Sequence, residues 1–211
     1  MKIAELFDDE KIVVRIQERL PLLFHLAELE SSRGGKVGME VGSIREKIII
    51  ALLIYKFGEN NVEINIPTTQ ADVDVQVFNE PISIKTITGK RLHGVKLIWT
   101  VDQKKASQFQ QSYVPGSDML LIQVNWDNGG WFYLFPKSVQ VEIFLQVGAQ
   151  KYIKLPKSGT NPRGVEISEA ALCRLANHKD SRKIPINWVR PTIDYHPHER
   201  WLALWQKDQK D

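Results

Sequence analysis

One cysteine, Cys173, is all the thiol chemistry in this 211-residue chain, so neither an intrachain disulfide nor a cysteine-rich zinc site can form. Long apolar runs are missing as well. The run Ile48-Ile49-Ile50-Ala51-Leu52-Leu53-Ile54 is too short, and too closely flanked by charge, to span a bilayer. Met1 to Glu10 is charged and mixed, unlike a signal peptide, so a cytoplasmic location is expected. There is no internal repeat and no low-complexity tract. The glycine-rich stretch Ser31 to Gly38 lacks the Gly-Lys-Ser/Thr that opens a phosphate-binding helix, and reads as a flexible connector. His25, His93, His178, His196 and His198 form no histidine-asparagine metal motif, and no serine is flanked by a base. His196 and His198 alternate, but are expected as surface residues rather than metal ligands.

What the chain does have is an ordinary globular composition, 43% hydrophobic and 25% charged, and enough length for one well-buried α/β domain. Its net charge is only +3, yet the cations cluster. Lys151 to Lys183 holds eight Lys or Arg against three acidic residues, and Lys85 to Lys105 holds six against one. Such surfaces suit a polyanion, although any single lysine is more simply a solvated one.

The densest chemistry lies in Ala71-Asp72-Val73-Asp74-Val75-Gln76-Val77-Phe78, followed after three residues by Ile82-Ser83-Ile84-Lys85-Thr86. Strict alternation predicts a β-hairpin with Val73, Val75 and Val77 on one face and Asp72, Asp74 and Gln76 on the other. Asn79-Glu80-Pro81 is the expected turn, with the proline ending the pairing. Ser83 and Lys85 share a face of the second strand, so Asp74 and Lys85 can meet across the sheet. A carboxylate is the hard ligand a magnesium ion prefers, and a lysine beside it can steady an attacking water or a pentacovalent phosphate. The plainer alternative is a solvent-facing aspartate with a cross-strand ion pair. Two β-disfavoured aspartates in one short apolar strand speak against it.

These residues resemble the PD-(D/E)XK nuclease superfamily, which includes most type II restriction endonucleases. Asp74 matches the first carboxylate, Ser83-Ile84-Lys85 the terminal tripeptide, and Glu46 on a preceding helix the outer acidic residue. Ser83 departs from the pattern, which usually has Asp or Glu there. The ion is then left with Asp74, the main-chain carbonyl of Ile84, water and Glu46, which favours one-metal chemistry. Further similarity runs through Ile82 to Gly89, Lys96-Leu97-Ile98-Trp99-Thr100-Val101-Asp102 and Asn161-Pro162-Arg163-Gly164, which together look like a ThaI-type restriction endonuclease. The resemblance implies an α/β fold with a restriction-endonuclease-like core, a mixed central β-sheet flanked by helices. It implies Mg2+ as cofactor, double-stranded DNA as substrate, a homodimer matching a short G+C palindrome, and blunt cutting. Asp74, Glu46, Lys85 and Ser83 form the implied catalytic set, with Asp74, Ile84 and Glu46 toward the metal. Lys90, Arg91, Lys104 and Lys105 are expected on phosphates. Gln111, Asn161, Arg163 and Gly164 are expected at the bases or in positioning.

The rest of the chain reads as one domain over 1–211, with an N-terminal helical region 1–42 and a basic C-terminal region 150–211 that both contribute to DNA recognition. Ile3 to Leu29 is helical with a break near Pro21. Ser43 to Phe57 is the central helix, stopped at Gly58. Glu46 falls three residues after Ser43, so a capping box fits it locally as well as a metal site does, and Glu40 is the substitute outer carboxylate. Val62 to Pro67 reads as a strand, Val95 to Thr100 as a strand or a lead into helix, and Asp102 to Tyr113 as a helix. Met119 to Trp126 and Gly130 to Phe135 form a strand pair. Ser138 to Val147 is ambiguous, and Lys151 to Leu155 is a short strand. Ser168 to His178 is a helix in which Cys173 is expected to be buried. Lys157 to Gly164 is either a base-reading loop, since arginine pairs with guanine and asparagine with adenine, or an ordinary connection. Pro197 to Lys207 is a helix whose Trp201, Leu202, Leu204 and Trp205 suit core packing or a dimer contact. Two other functions stay open: a repair nuclease or junction resolvase on the same core, and a DNA-binding module that has lost catalysis.

Overall fold

Asp9 divides the N-terminal helices α1 (Glu5–Asp8) and α2 (Glu10–Glu30), its carboxylate accepting the N–H groups of Lys11 and Ile12 as an N-cap. The break expected near Pro21 does not occur there. Pro21 is buried inside a continuous α2, whose Ile12, Ile16, Leu20 and Phe24 are anchored in the core and hold the helix through the lost hydrogen bond. The computed structural model describes residues 2–33, 36–38, 40–67, 72–100, 102–156 and 164–207.

A short ladder, β1 (Ser32–Arg33) with β2 (Lys36–Val37), replaces part of the expected connector. Helix α3 (Val41–Phe57) starts two positions before Ser43 and has no side-chain cap, so the capping box of Ser43 and Glu46 is not formed. Then follow β3 (Val62–Glu63), β4 (Val75–Val77), β5 (Glu80–Thr88), β6 (Lys96–Ile98), α4 (Gln103–Ser112), β7 (Asp118–Val124) and β8 (Asn128–Phe135). The C-terminal part holds α5 (Lys137–Val147), α6 (Ala149–Tyr152), β9 (Ile153–Lys154), β10 (Val165–Ile167), α7 (Glu169–Ala176), β11 (Arg182–Trp188) and α8 (Glu199–Gln206).

Six strands form the main sheet in the order β11-β8-β7-β5-β4-β3. Only the β5/β7 pairing is parallel, so the sheet is mixed, as expected. Central β7 is buried along its whole length, in keeping with its apolar run Met119-Leu120-Leu121-Ile122. Strand β6 does not join this sheet. It pairs with β10, which pairs with β9, in a separate three-stranded sheet.

Alternation along the central strands feeds two cores. Ile82, Ile84, Leu120, Ile122, Phe132 and Leu134 face α1, α2 and α3, while Ile87, Met119, Leu121, Tyr133 and Phe135 face α5, α7 and the small sheet. Each fully buried aliphatic side chain contributes about 1.5–3 kcal/mol, so the two cores clamp β5 rigidly from both sides. Cys173 is exposed rather than buried, because Ala171, Leu172 and Leu175 take the inner face of α7. Among the described residues no helix is long and apolar enough to cross a membrane.

Candidate active site

The hairpin forms, with its turn one step earlier than expected. Phe78 and Asn79 both adopt positive φ, 52° and 65°, the geometry of a two-residue hairpin turn. Pro81 therefore lies inside β5, opposite Gln76. Backbone groups of one strand residue share a side, and Ile82 accepts from Asp74 N–H on the β4 side. Pro81 thus faces the β7 side, where β7 begins only opposite Ile82, and its missing N–H leaves no ladder bond unmade.

Strand β4 also begins late, at Val75, which leaves the Ile84 N–H without a strand partner. The Asp74 side chain fills the gap. Its Oδ2 accepts from Ile84 N–H at 2.6 Å, from Lys85 Nζ at 3.2 Å and from Ser83 Oγ at 3.3 Å. The Asp74 and Lys85 side chains are only 17% and 19% exposed, so their ion pair is partly withdrawn from water. The Ile84 carbonyl points to the same edge as its N–H, again beyond the start of β4. Ser83 is buried and adds a hydroxyl but no charge.

Two further carboxylates feel this pair. Burial raises Glu46 above the ordinary carboxylate range, repulsion from Asp74 adds to the rise, and attraction to Lys85 and Lys47 opposes it. Asp72 is raised as well, first by burial, with Lys85 opposing and Asp74 reinforcing. Its Oδ1 is buried without a hydrogen-bond partner among the described residues. Alternation puts Asp72 in the hairpin without assigning it a part in the site; the Asp-x-Asp spacing is the signal that could have found it. Glu40 pairs instead with Arg33 at 3.2 Å.

The outer residues scatter. Lys90, Lys104, Lys105 and Gln111 are exposed. Arg91 makes a two-pronged pair with Glu169 on α7, both bonds at 3.0 Å. Asn161 and Arg163 lie outside the described residues. Gly164 is buried at φ 135°, where a Cβ would stand 2.6 Å from the Ile98 carbonyl oxygen, so its place is one of close packing against β6. His196 stands on the surface, 3.2 Å from Asp194.

The donor set at the hairpin edge is entirely oxygen, which suits a hard divalent cation. Among the described residues no group of three or more His, Cys, Asp or Glu stands close enough to hold a metal by itself. Magnesium, which keeps several waters, fits such a sparse set, whereas a caged structural ion does not.

A mixed sheet with a carboxylate and a lysine side by side on its hairpin is a frame for phosphodiester chemistry. A solved structure described as a restriction endonuclease in complex with substrate DNA matches this one with a TM-score of 0.92 and 53% sequence identity, covering 97% of this chain and 99% of that one. The fold is that of a restriction endonuclease, a site-specific nuclease. Within that class the chain belongs to the ThaI restriction endonuclease family, whose description matches residues 6–207. No curated protein sequence matches it.

Proposed function

We propose that this restriction endonuclease is a magnesium-dependent, PD-(D/E)XK-type enzyme that cuts double-stranded DNA, with Asp74, Glu46 and Lys85 as its catalytic residues. The observation that carries the reading is the Asp74 carboxylate 3.2 Å from Lys85 Nζ at the edge where β4 stops, with Glu46 in electrostatic reach. Bound there, a magnesium ion would neutralise phosphate charge and lower the pKa of a coordinated water. Asp74, the Ile84 carbonyl and Glu46 would hold it.

The protein groups divide the remaining work. Lys85 donates to the attacking water and to the negative charge that grows on the phosphate. The water oxygen bonds to phosphorus as a bridging P–O bond breaks, and the proton it sheds ends on the leaving oxygen. Ser83 and the Ile84 N–H hold the Asp74 carboxylate still, so no reorganisation is needed as charge develops. With a serine where a second acid usually stands, one ion per site is the fitting count.

Duplex DNA as substrate is supported by the DNA-bound relative and by the exposed cations Lys90, Lys104 and Lys105. Gln111, Asn161 and Arg163 are the proposed base-reading or positioning residues. Cutting both strands of a palindrome, here a short G+C one cut bluntly, calls for a two-fold dimer. Helix α8 offers a contact: none of its residues is buried, and Trp205 is 89% exposed. The cytoplasm is the matching compartment. Incubating the purified protein with unmethylated phage DNA, with and without magnesium, tests the activity. Branched substrates beside linear ones separate it from a resolvase.

A further inference from the structure

A buried charged pair joins α2 to α3, the helix that carries Glu46. Glu28 on α2 and Arg45 on α3 have side chains only 9% and 5% exposed, and Arg45 Nη2 donates to Glu28 Oε1 at 2.5 Å. The same Oε1 accepts from Trp126 Nε1 at 2.7 Å, in the turn between β7 and β8. Its neighbour Oε2 accepts from Arg190 Nη2 at 3.4 Å, in the segment after β11. Arg190 in turn lies over the Trp126 ring and pairs with Asp127. The second arm of Arg45 reaches Thr88 Oγ1 at 3.4 Å, at the end of β5. One guanidinium therefore ties α3, which carries Glu46, to α2 and to β5, which carries Lys85.

The chemistry of the pair is out of proportion to its use as a brace. Desolvating two charges consumes most of what their attraction returns, and apolar residues of similar volume usually hold a helix to a core at least as well. What an ion pair adds is direction. A guanidinium with fixed donor vectors, anchored on two different elements, sets both the rotation of α3 about its axis and its height along it. Arg45 immediately precedes Glu46. A small rotation of α3 that apolar packing would tolerate swings the Glu46 carboxylate away from Asp74 and Lys85, and an ångström of misplacement is enough to lose an oriented ligand.

We infer that Glu28 and Arg45 are positioning residues for catalysis, a buried clamp that fixes the rotation of α3 and so holds the Glu46 carboxylate at the Asp74–Lys85 site. The inference rests on the active-site reading above. It gives the network a role in metal affinity and cleavage beyond its part in stability.

Three variants in the full-length protein test it: the paired apolar replacement Glu28→Leu with Arg45→Met, the single change Thr88→Val, and Glu46→Gln as the reference. Mn2+ binding to the protein on phage DNA is followed by loss of the free-ion paramagnetic resonance signal, and the magnesium concentration giving half-maximal cleavage is measured beside it. The paired variant leaves Trp126 Nε1 and Arg190 without their Glu28 acceptor and should melt somewhat lower than the native protein, yet bind DNA equally well. Its Mn2+ affinity should weaken, and its half-saturating magnesium rise, by about tenfold, the scale for losing an outer-shell support of a metal ligand. Thr88→Val, which removes only one hydroxyl contact near the surface, should shift both in the same direction by less. Should the paired variant not fold, Thr88→Val decides alone. Unchanged metal dependence in the clamp variants, beside a weakened Glu46→Gln, overturns the inference. Unchanged Mn2+ affinity in Glu46→Gln itself overturns instead the site reading on which it rests.

Discussion

Glu46→Gln should stabilise the metal-free protein while crippling cleavage. Glu46 is half-buried, and burial together with repulsion from Asp74 raises its pKa above the ordinary 4.5, against the pull of Lys85 and Lys47. A raised carboxylate pKa means that the ionised form is disfavoured in the folded state relative to the unfolded one. At neutral pH, where the unfolded carboxyl is ionised, the native protein carries that cost. As pH falls through the folded pKa, Glu46 takes up a proton in the folded state first, and the cost is gone once pH reaches the unfolded value. Glutamine removes the charge at every pH. Interactions of a half-exposed, solvent-screened charge are worth about 0.5–1 kcal/mol. For a chain of this size that is a rise of roughly 1–4 °C in melting temperature at pH 7.5. Thermal unfolding in EDTA across pH 4 to 8 reads it: the gain should be full at neutral pH and vanish near pH 4. Adding magnesium should reverse the order, because the ion stabilises the native site by mass action and has lost a ligand in the variant. A variant less stable than native at pH 7.5, or a gain that does not change with pH, refutes the reasoning.

Two further sets of substitutions probe the β8/β11 edge and helix α8. A Cβ at Gly130 would stand 2.3 Å from the Gln123 carbonyl oxygen and 2.5 Å from Trp188 Nε1, whereas one at Gly129 meets nothing within 4 Å. Gly130→Ala should therefore cost about 2 kcal/mol and Gly129→Ala far less, checked by urea unfolding; equal losses would show that the β8/β11 edge is not packed as described. Replacing Trp201 and Trp205 on α8 with serine should leave the melting transition of the monomer in place and weaken self-association, read by sedimentation on and off DNA. Native-like dimerisation in that variant would remove α8 from the interface.

The hairpin was legible because alternation and the two aspartates are local signals. Its turn was misplaced because Pro81 reads as punctuation, and its tolerance depends on β7 starting only opposite Ile82, a non-local fact. Strand β11 went unread for a related reason. Ile184, Ile186 and Trp188 alternate inward, yet Pro185 argues against a strand unless its nitrogen faces an open edge, and β11 is such an edge. Pairing of β6 with β10 rather than with the main sheet joins residues far apart in the chain, which no periodicity encodes. At the site, Asp74 and Lys85 came from pattern alone. The freedom of Glu46 from a capping box required the true start of α3. The Glu28–Arg45 pair was invisible, since a charged residue in an amphipathic helix reads as solvent-facing until its buried partner is found.

The central claim is that Asp74 and Lys85 form the catalytic centre of a magnesium-dependent endonuclease, and cleavage of unmethylated phage DNA by the native protein and by Asp74→Ala and Lys85→Ala tests it most directly. The native protein should give discrete magnesium-dependent fragments, neither variant should give any, and all three should retain DNA binding. Cleavage that persists in the purified Asp74→Ala protein would contradict that claim.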